Sequence, residues 1–277
     1  METQHVLVSA KAAPCEKFIP EPSTATIDAA GNSRERSLFK KQLYETFSGN
    51  QITDSILNEA AKLFSENYGT WGDHSHNPGK PVKVSGHRLR KQYLPDDPSA
   101  GLHARVIADG VLAGSAFACR WKCAGKRICW ITQLVVDKAY RERGLAINLL
   151  RSLRSDADDV YGIASSHPAA CLAAAGAFAS SIEKVSLDYA GENAGEIIKA
   201  SPIPYIREAS LCGSLFDSKD TTGLVCGVDT RFFVNHKEPL EALKSARETW
   251  DWPLGDLPEG HEYLLVMPAR QRRTKSV

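Results

Sequence analysis

The stretch that decides the fold is Cys-Trp-Ile-Thr-Gln-Leu-Val-Val-Asp-Lys-Ala-Tyr-Arg-Glu-Arg-Gly-Leu-Ala, residues 129–146. Its first part, Cys129–Val136, is rich in Ile, Val and Trp, which predicts a buried strand. After a short loop, the spacing of apolar residues predicts a helix over Arg143–Ser155. Small residues at the start of this helix, Gly144 and Ala146, let a ligand approach the backbone closely.

The start of this helix is predicted to bind an anion. Backbone N–H groups at a helix start lack partners within the helix, and the helix dipole favours negative charge there. Arg141 and Arg143 add positive charge at the same place. We therefore expect a phosphate or pyrophosphate site. The Gly-Lys-Ser/Thr ending of a Walker loop and the G-x-G-x-x-G dinucleotide pattern are both absent from the sequence.

Regular elements are predicted on both sides of this segment. A helix is predicted from about Thr53 to Gly69, because apolar residues recur there at helical spacing. Asp-Gly between two apolar runs predicts a hairpin. The predicted elements around the anion site are the strands Leu102–Ile107, Val111–Trp121 and Val160–Ala164 and the helix Pro168–Phe178.

Further elements are predicted nearer the two ends of the chain. They are a helix beginning near Arg34, strands at Lys184–Tyr189, Thr230–Asn235 and Tyr263–Val266, and a helix over Pro239–Trp250. Antiparallel strands followed by strand–helix–strand–helix predict an α/β (α+β) protein, in which helices flank a mixed, mostly antiparallel central sheet.

Composition excludes several classes of protein. Lys and Arg total 34 and Asp and Glu 33, for a net charge of +1, so a dedicated nucleic-acid-binding protein is not expected. No stretch reaches the roughly 20 apolar residues of a membrane helix, so no membrane partner is expected. The N-terminus does not resemble a secretory signal. We expect a cytoplasmic protein, and the basic tail at Arg270–Lys275 leaves a nuclear location open.

The cysteines and histidines do not predict a metal site. Seven cysteines are spread over 277 residues, which is not the pattern of a disulfide framework. Cys119, Cys123 and Cys129 lack the C-x-x-C pairs typical of zinc sites. His74 and His76 form an H-x-H pair that is two ligands short of a zinc site. No metal is therefore expected.

The anion-binding segment resembles motif A of the GNAT superfamily, the acetyl-CoA-dependent N-acetyltransferases. The resemblance lies in Arg141-x-x-Gly144-x-Ala146 following Leu134–Val136, and in the order of elements over about residues 50–190. More distantly, Trp130–Val136, Ser165–Pro168 and Trp252–Gly255 look like uncharacterised fungal members of the superfamily. The resemblance implies a GNAT-like acetyl-CoA-binding core at 51–190.

The remaining residues are predicted to be extensions of that core. Residues 1–50 form an N-terminal extension that is partly disordered. Residues 191–277 form a C-terminal extension that completes the sheet and the acceptor site.

The resemblance also implies where the cofactor binds. In GNAT proteins the fourth strand splays from the fifth, the pantetheine arm lies in the gap between them, and the amine attacks the thioester directly from the opposite side. The residues assigned to acetyl-CoA on this basis are Leu134, Val135, Val136, Arg141, Glu142, Arg143, Gly144, Leu145, Ala146 and Ser166.

The family's usual acid and base are missing from this sequence. Many relatives carry a Glu or His on the fourth strand at the positions of Thr132 and Trp130, and a Tyr in the helix corresponding to Pro168–Phe178, which contains none. His167 is the predicted replacement base, because its pKa suits proton transfer near neutrality. A solvated histidine at a helix start is the alternative interpretation.

Four more positions near the gap are assigned to the substrate or the acyl group. Thr132 and Gln133 are predicted to orient a water or the acyl oxygen, the alternative being a polar pair satisfied within a buried strand. Tyr68 and Trp71 are predicted to line the acceptor site, although Trp71 could instead cover the core.

Asp229 and His236 bracket the predicted strand Thr230–Asn235 and are further candidates for substrate binding.

The predicted function is that of an acyltransferase. It transfers acetyl from acetyl-CoA to a primary amine of a small molecule, by direct attack in a ternary complex. The alternatives are a protein lysine or N-terminal acetyltransferase, and a CoA-binding regulatory module without turnover.

Overall fold

The protein is described by a computed structural model that covers residues 41–270. Residues 1–40 of the N-terminal extension, which is predicted to be partly disordered, and the basic tail beyond Arg270 lie outside the described residues. Among the described residues, no helix is both long enough and apolar enough to cross a membrane.

A single eight-stranded sheet organises the described part of the chain, in the order β1-β2-β3-β4-β5-β8-β7-β6. Every neighbouring pair is antiparallel except β4 and β5, which are parallel. The mixed, mostly antiparallel sheet is thus confirmed. The strands are β1 (Gln42–Ser48), β2 (Gly101–Ala108), β3 (Val111–Cys123), β4 (Lys126–Val136), β5 (Val160–Ser165), β6 (Ser210–Cys212), β7 (Gly227–Asp229) and β8 (His261–Pro268).

Helices cover both faces of the sheet. The helices are α1 (Asp54–Asn67), α2 (Gly86–Tyr93), α3 (Leu145–Ser152), α4 (Pro168–Phe178), α5 (Leu187–Lys199), α6 (Pro204–Arg207) and α7 (Lys237–Thr249). Apolar residues of α1 and α2 pack on Phe117 of β3, whereas Leu145, Leu149 and Leu150 of α3 pack on the other face of β3, in one core with α4. Helix α7 packs on α4.

Local signals explain the elements that were predicted. The side chain of Thr53 accepts a hydrogen bond from the backbone N–H of Ile56 and begins α1. Asp109 and Gly110 both have positive φ, as the tight turn of the β2–β3 hairpin requires. Pro168 lies in the first turn of α4, where its missing N–H costs no hydrogen bond. Helix α3 begins two residues later than predicted, because Gly144 adopts a left-handed conformation as its N-cap.

The predicted helix start at Arg34 lies outside the described residues, and the first described element is strand β1 at residues 42–48, whose Tyr44 and Phe47 are buried. Two predicted elements are wrong. Lys184–Tyr189 is not a strand, because the Ser186 side chain accepts a hydrogen bond from the Tyr189 N–H and begins α5. Thr230–Asn235 is interrupted at Arg231, where φ is +54°, and only Val234 makes a bridge, with Trp71.

The C-terminal part of the chain completes the sheet beyond β5. Strand β8 pairs along β5 from Val160–Pro268 to Ser165–Tyr263, and β7 and β6 continue the sheet on its far side. Strand β1 lies at the opposite edge, on β2. The division into extensions and core at residues 50 and 190 stays a prediction.

Candidate functional site

Strands β4 and β5 pair only over their first halves. The pairing runs from Ile128–Val160 to Ile131–Ile163 and then stops. Beyond it, β4 continues to Val136 along β3, while β5 follows β8. The two strands therefore separate and leave a gap at the centre of the sheet. Thr132 lies where they separate, at a bulge where β4 has one more residue than β3.

Backbone groups of β4 line this gap. The carbonyl of Thr132 accepts a hydrogen bond from the Tyr205 hydroxyl (2.9 Å), and that of Val136 accepts one from Arg141 Nε (3.3 Å). Both carbonyls point away from β3, and peptide groups alternate in direction along a strand. The N–H and C=O of Leu134 must therefore point into the gap, while those of Val135 point towards β3. Of the three residues assigned to pantetheine, Leu134 has the geometry to bond a ligand in the gap.

The loop at the end of β4 presents exposed backbone. Glu142 and Gly144 have φ of +61° and +79°, with Arg143 between them. Such changes in the sign of φ direct successive N–H groups towards one point and form an anion-binding concavity. Gly144 begins α3 without a side-chain cap, and no atom lies within 4 Å of where its Cβ would be. The loop can therefore accept a pyrophosphate at the start of α3.

Arg141 is bound to the protein rather than directed at the loop. Its Nη2 donates to the carbonyl of Asn67 at the end of α1 (2.7 Å), and its Nη1 pairs with Glu238 of α7. Together with the hydrogen bond from Arg141 Nε to the Val136 carbonyl, these contacts hold the loop to β4, α1 and α7. The positive charge predicted from Arg141 is thus largely neutralised, and Arg143, whose guanidinium is 5.7 Å from the ring centre of Tyr140, remains exposed beside the loop.

His167 is the N-cap of α4 and also faces Glu238. Its Nδ1 accepts the N–H of Ala169 (3.2 Å), and its Nε2 lies 3.6 Å from Glu238 Oε1. Burial lowers its pKa below the usual value, an effect that the negative charge of Glu238 partly opposes. The lone pair at Nδ1 already serves the helix cap. The assignment of His167 as the base stays a prediction.

A buried carboxylate lies on the other side of the gap. Glu262 of β8 is 8% exposed and forms no salt bridge with any described residue. Burial raises its pKa above the usual value, although Thr230 and the backbone of Ser166 act in the opposite direction. Ser166, assigned to acetyl-CoA from the sequence, is buried beside this carboxylate. Its role stays a prediction.

Three half-buried tyrosines lie close enough to Glu262 for its charge to raise their pKa. They are Tyr68 at the end of α1, Tyr93 at the end of α2 and Tyr205 of α6. Burial, and then the charge of Glu262, raise the pKa of Tyr93 to about 12 and that of Tyr68 well above its usual range. The pKa of Tyr205 is raised well above its usual range by burial first and then by Tyr93 and Glu262. All three hydroxyls are therefore protonated near neutrality, and that of Tyr205 donates to the carbonyl of Thr132.

Thr132 and Gln133 of β4 differ in whether their side chains have hydrogen-bond partners. Thr132 donates its hydroxyl to the carbonyl of Tyr93 (2.8 Å), so its side chain joins β4 to α2. Gln133 is 6% exposed, and both polar atoms of its amide lack a hydrogen-bond partner among the described residues. A buried amide without partners is costly. Gln133 is therefore the residue of this pair whose side chain is available to a ligand, and both assignments stay predictions.

The other predicted substrate residues lie farther along the sheet. Trp71 meets the ring of Phe232 edge-on at 5.3 Å, where the loop after α1 contacts the segment before α7. Asp229 ends β7, two strands beyond β5, and accepts the backbone N–H of Arg231 (2.9 Å). His236 is buried beside a cavity of about 180 Å³, and its two ring nitrogens lack partners among the described residues. The described residues contain no group of three or more His, Cys, Asp or Glu that could hold a metal.

Three features together decide which fold this is. They are a mixed sheet with one parallel pair, the separation of that pair into a gap, and a glycine loop that leads from the gap into a helix. The order of the elements predicted the mixed sheet, residues 129–146 predicted the loop and the helix, and the resemblance to motif A implied the gap. The fold is GNAT-like. The prediction of this fold from the sequence is confirmed.

Comparisons with known proteins found similar solved structures, but no matching family model or curated protein. An aminoglycoside acetyltransferase from an uncultured soil metagenomic sample, in complex with trehalose, is 15% identical over 40% of this chain, with a TM-score of 0.28. This chain spans 66% of that protein, just under two thirds of its length.

Two further solved structures match slightly more of this chain. An acetyltransferase of the GNAT family from Streptococcus pneumoniae is 16% identical over 45% of this chain and 74% of that one, with a TM-score of 0.31. The NatC complex bound to Gag peptide and CoA matches at 15% identity over 48% of this chain and 82% of that one, with a TM-score of 0.34.

Sequence reasoning missed the residues that the C-terminal part of this GNAT-like fold brings to the gap. Glu262 lies one residue before the predicted strand Tyr263–Val266, and Tyr205 lies in a segment for which no element was predicted. The signal for Glu262 was a single acidic residue at the start of an apolar strand. For α5, the signal was the helical spacing of Ala190, Ala194, Ile197 and Ile198.

Proposed function

We propose that this protein is an N-acetyltransferase that transfers acetyl from acetyl-CoA to a primary amine of a small molecule. The gap between β4 and β5, which ends at the exposed loop Arg141–Ala146, is the observation that carries this proposal. In a GNAT-like fold, such a gap would hold the pantetheine arm and the loop would hold the pyrophosphate.

The backbone determines how acetyl-CoA would be held. The N–H and C=O of Leu134 would bond the pantetheine amide, and the N–H groups at the start of α3 would bond the pyrophosphate. Arg141 would act indirectly, by fixing the loop to α1, β4 and α7. The thioester would then lie near Thr132, where the strands separate, with the tyrosine hydroxyls and Gln133 close to the reacting carbonyl.

Two measurements on the purified protein test the proposed function. Purified protein is titrated with CoA and with acetyl-CoA by calorimetry, and CoA release is then followed with a thiol reagent, first without an acceptor and then with primary amines and an N-terminal peptide. We expect binding at one site and release that depends on the amine. Faster release with the peptide than with any small amine would favour a protein acetyltransferase. Binding without release would favour a regulatory module, and no binding would disprove the proposal.

Cysteine is not expected to carry the acetyl group. Burial raises the pKa of Cys119, Cys129 and Cys226 to about 12, and it raises that of Cys171 even further above its usual range. A thiol must ionise to act as a nucleophile, so these side chains are inert near neutrality. Rapid quenching during turnover, followed by peptide mass analysis, should find no acetylated cysteine among the described residues. An acetyl-cysteine that forms and decays at the rate of turnover would contradict direct transfer.

A further inference from the structure

We propose that Glu262 binds the ammonium group of the acceptor and removes its proton, in place of the base that β4 lacks. This inference rests on the proposed function and identifies the acceptor side of the same gap. It is carried by the position of Glu262, by the absence of a charge partner, and by the polar groups that surround it.

The position follows from strand register. Directly opposed residues of neighbouring strands share a face, and side chains alternate between faces along each strand. On β3, Phe117 packs under α1 and α2, and it is opposite Gln133. The side chain of Gln133 therefore lies on the face that α1 and α2 cover.

The same reasoning places Glu262 on that face. Cys119 lies two residues from Phe117 on β3 and therefore shares its face, and it is opposite Trp130 of β4. Trp130 is opposite Gly162 of β5, and its ring packs over that glycine. Gly162 is in turn opposite Val266 of β8. Glu262 precedes Val266 by four residues on β8. Gln133 and Glu262 thus lie on one face, on opposite sides of the gap that opens beyond Ile131 and Ile163.

No cation pairs with Glu262 within the described residues. Hydrogen bonding from Thr230 and from the backbone of Ser166 favours its charged form, but a buried carboxylate is costly without a cation or several hydrogen bonds, and no described Lys, Arg or His is in salt-bridge distance of it. The titratable groups whose pKa the charge of Glu262 raises are Tyr68, Tyr93 and Tyr205, and Cys171 on α4, all neutral at pH 7. The ammonium group of a substrate would supply the missing partner.

The surrounding groups suit an acceptor with a single ammonium. The three tyrosines are neutral, and their aromatic faces attract a cation. Glu238, another acidic residue near the gap, already pairs with Arg141. A site with one free carboxylate matches one positive charge, so a monoamine is expected to be acetylated better than a polyamine.

With Glu262 as the base, the proposed reaction balances in protons and electrons. Glu262 takes one proton from R–NH₃⁺, and the freed lone pair on nitrogen forms the C–N bond at the thioester carbonyl carbon. As the C–S bond breaks, sulfur leaves with the electron pair. The nitrogen gives up a second proton, which ends on sulfur as CoA–SH. Glu262 then releases its own proton to solvent before the next turnover.

The test compares two carboxylate-to-amide changes. Glu262→Gln preserves shape and removes the base, while Glu259→Gln makes the same change on an exposed side chain three residues earlier. CoA affinity is measured by calorimetry, and acetyl transfer to tyramine, benzylamine and spermidine is measured from pH 5 to 9. We expect Glu262→Gln to lower kcat by roughly 10²–10⁴-fold, the usual effect of losing a general base. CoA affinity and the activity of Glu259→Gln should stay unchanged.

The pH profile of the unmodified protein gives a second measurement that does not depend on the variant folding. Activity requires the ionised carboxylate, so kcat should fall as the pH drops through the raised pKa of Glu262, and this acidic limb should be missing from the residual activity of Glu262→Gln. Glu262→Asp should retain the limb.

Four outcomes would overturn the assignment while leaving the CoA site intact. The first two are normal turnover by a folded Glu262→Gln protein and a larger loss of turnover in His167→Ala than in Glu262→Gln. The third is faster transfer to spermidine than to either monoamine. The fourth is no transfer to any of the three amines although CoA binds. Loss of CoA binding by the unmodified protein would instead disprove the proposed function itself.

Discussion

A Gly144→Glu protein is expected to fold but to lose CoA binding by roughly 10²-fold or more, since charge-assisted hydrogen bonds contribute about 1.5–3 kcal/mol each. Gly144 has a φ of +79°, and no atom lies within 4 Å of its missing Cβ, so the new side chain enters open space. The cost to folding is then the left-handed backbone, about 1–2 kcal/mol. A carboxylate at the start of α3 would occupy and repel the proposed pyrophosphate position.

The chain offers a matched control for this change. Gly125, in the turn between β3 and β4, has a φ of +76° and equally open surroundings. Gly125→Glu should therefore lower the free energy of unfolding by a similar amount and leave CoA affinity unchanged. Calorimetric titration of both variants, with denaturant unfolding alongside, separates ligand binding from stability. Equal CoA affinity in the two proteins would show that the pyrophosphate does not bind at Gly144.

Asp158→Ala is expected to cause the largest loss of stability. The Asp158 carboxylate is fully buried and forms two hydrogen bonds of 2.7 Å with Arg120 of β3, while Arg127 of β4 lies 3.4 Å away. Removing one partner of a buried pair leaves the other charge unpaired, which costs about 3–5 kcal/mol. For a chain of this size, the melting temperature should fall by roughly 6–20 °C.

An exposed pair provides the comparison. Arg247 and Asp256 lie 2.7 Å apart with side chains 43% and 59% exposed, so Asp256→Ala should change the free energy of unfolding by less than about 1 kcal/mol. Urea unfolding of both variants measures the difference. If Asp158→Ala destabilised the protein no more than Asp256→Ala, the buried pair would not be what fixes the start of β5 against β3 and β4.

Much of the central fold could be predicted because its signals are local. The apolar stripe after Thr53, the Asp109-Gly110 turn and Pro168 each depend on residues a few positions apart. Alternation of apolar and polar residues gave a wrong strand where a helix cap competed with it. Val185, Leu187 and Tyr189 alternate with polar residues as in a strand, but Ser186 caps a helix. Helix α2 was missed because it is short and polar, with only Gly86 and Leu89 buried.

The loop predicted to bind acetyl-CoA could be identified from the sequence, whereas the proposed acceptor side could not. Strand, loop and helix follow one another within residues 129–146, so this loop is a local feature. Glu262 and Tyr205 reach the gap only because the chain returns, with β8 pairing along β5 and α6 packing near α2. Sequence spacing says nothing about such distant residues, so the sequence alone predicted His167 as the base.

The sequence by itself determined the strand–loop–helix segment around Gly144, since hydrophobic alternation, a positive φ and helix-start geometry act between near neighbours in the chain. Tertiary structure alone decided the direction of Arg141, whose guanidinium binds Asn67 and Glu238 instead of the loop. It also decided the burial of Glu262 among three tyrosines from three helices. Burial and electrostatic partners arise from packing between distant segments, and these determine which side chains can bind a ligand or take a proton.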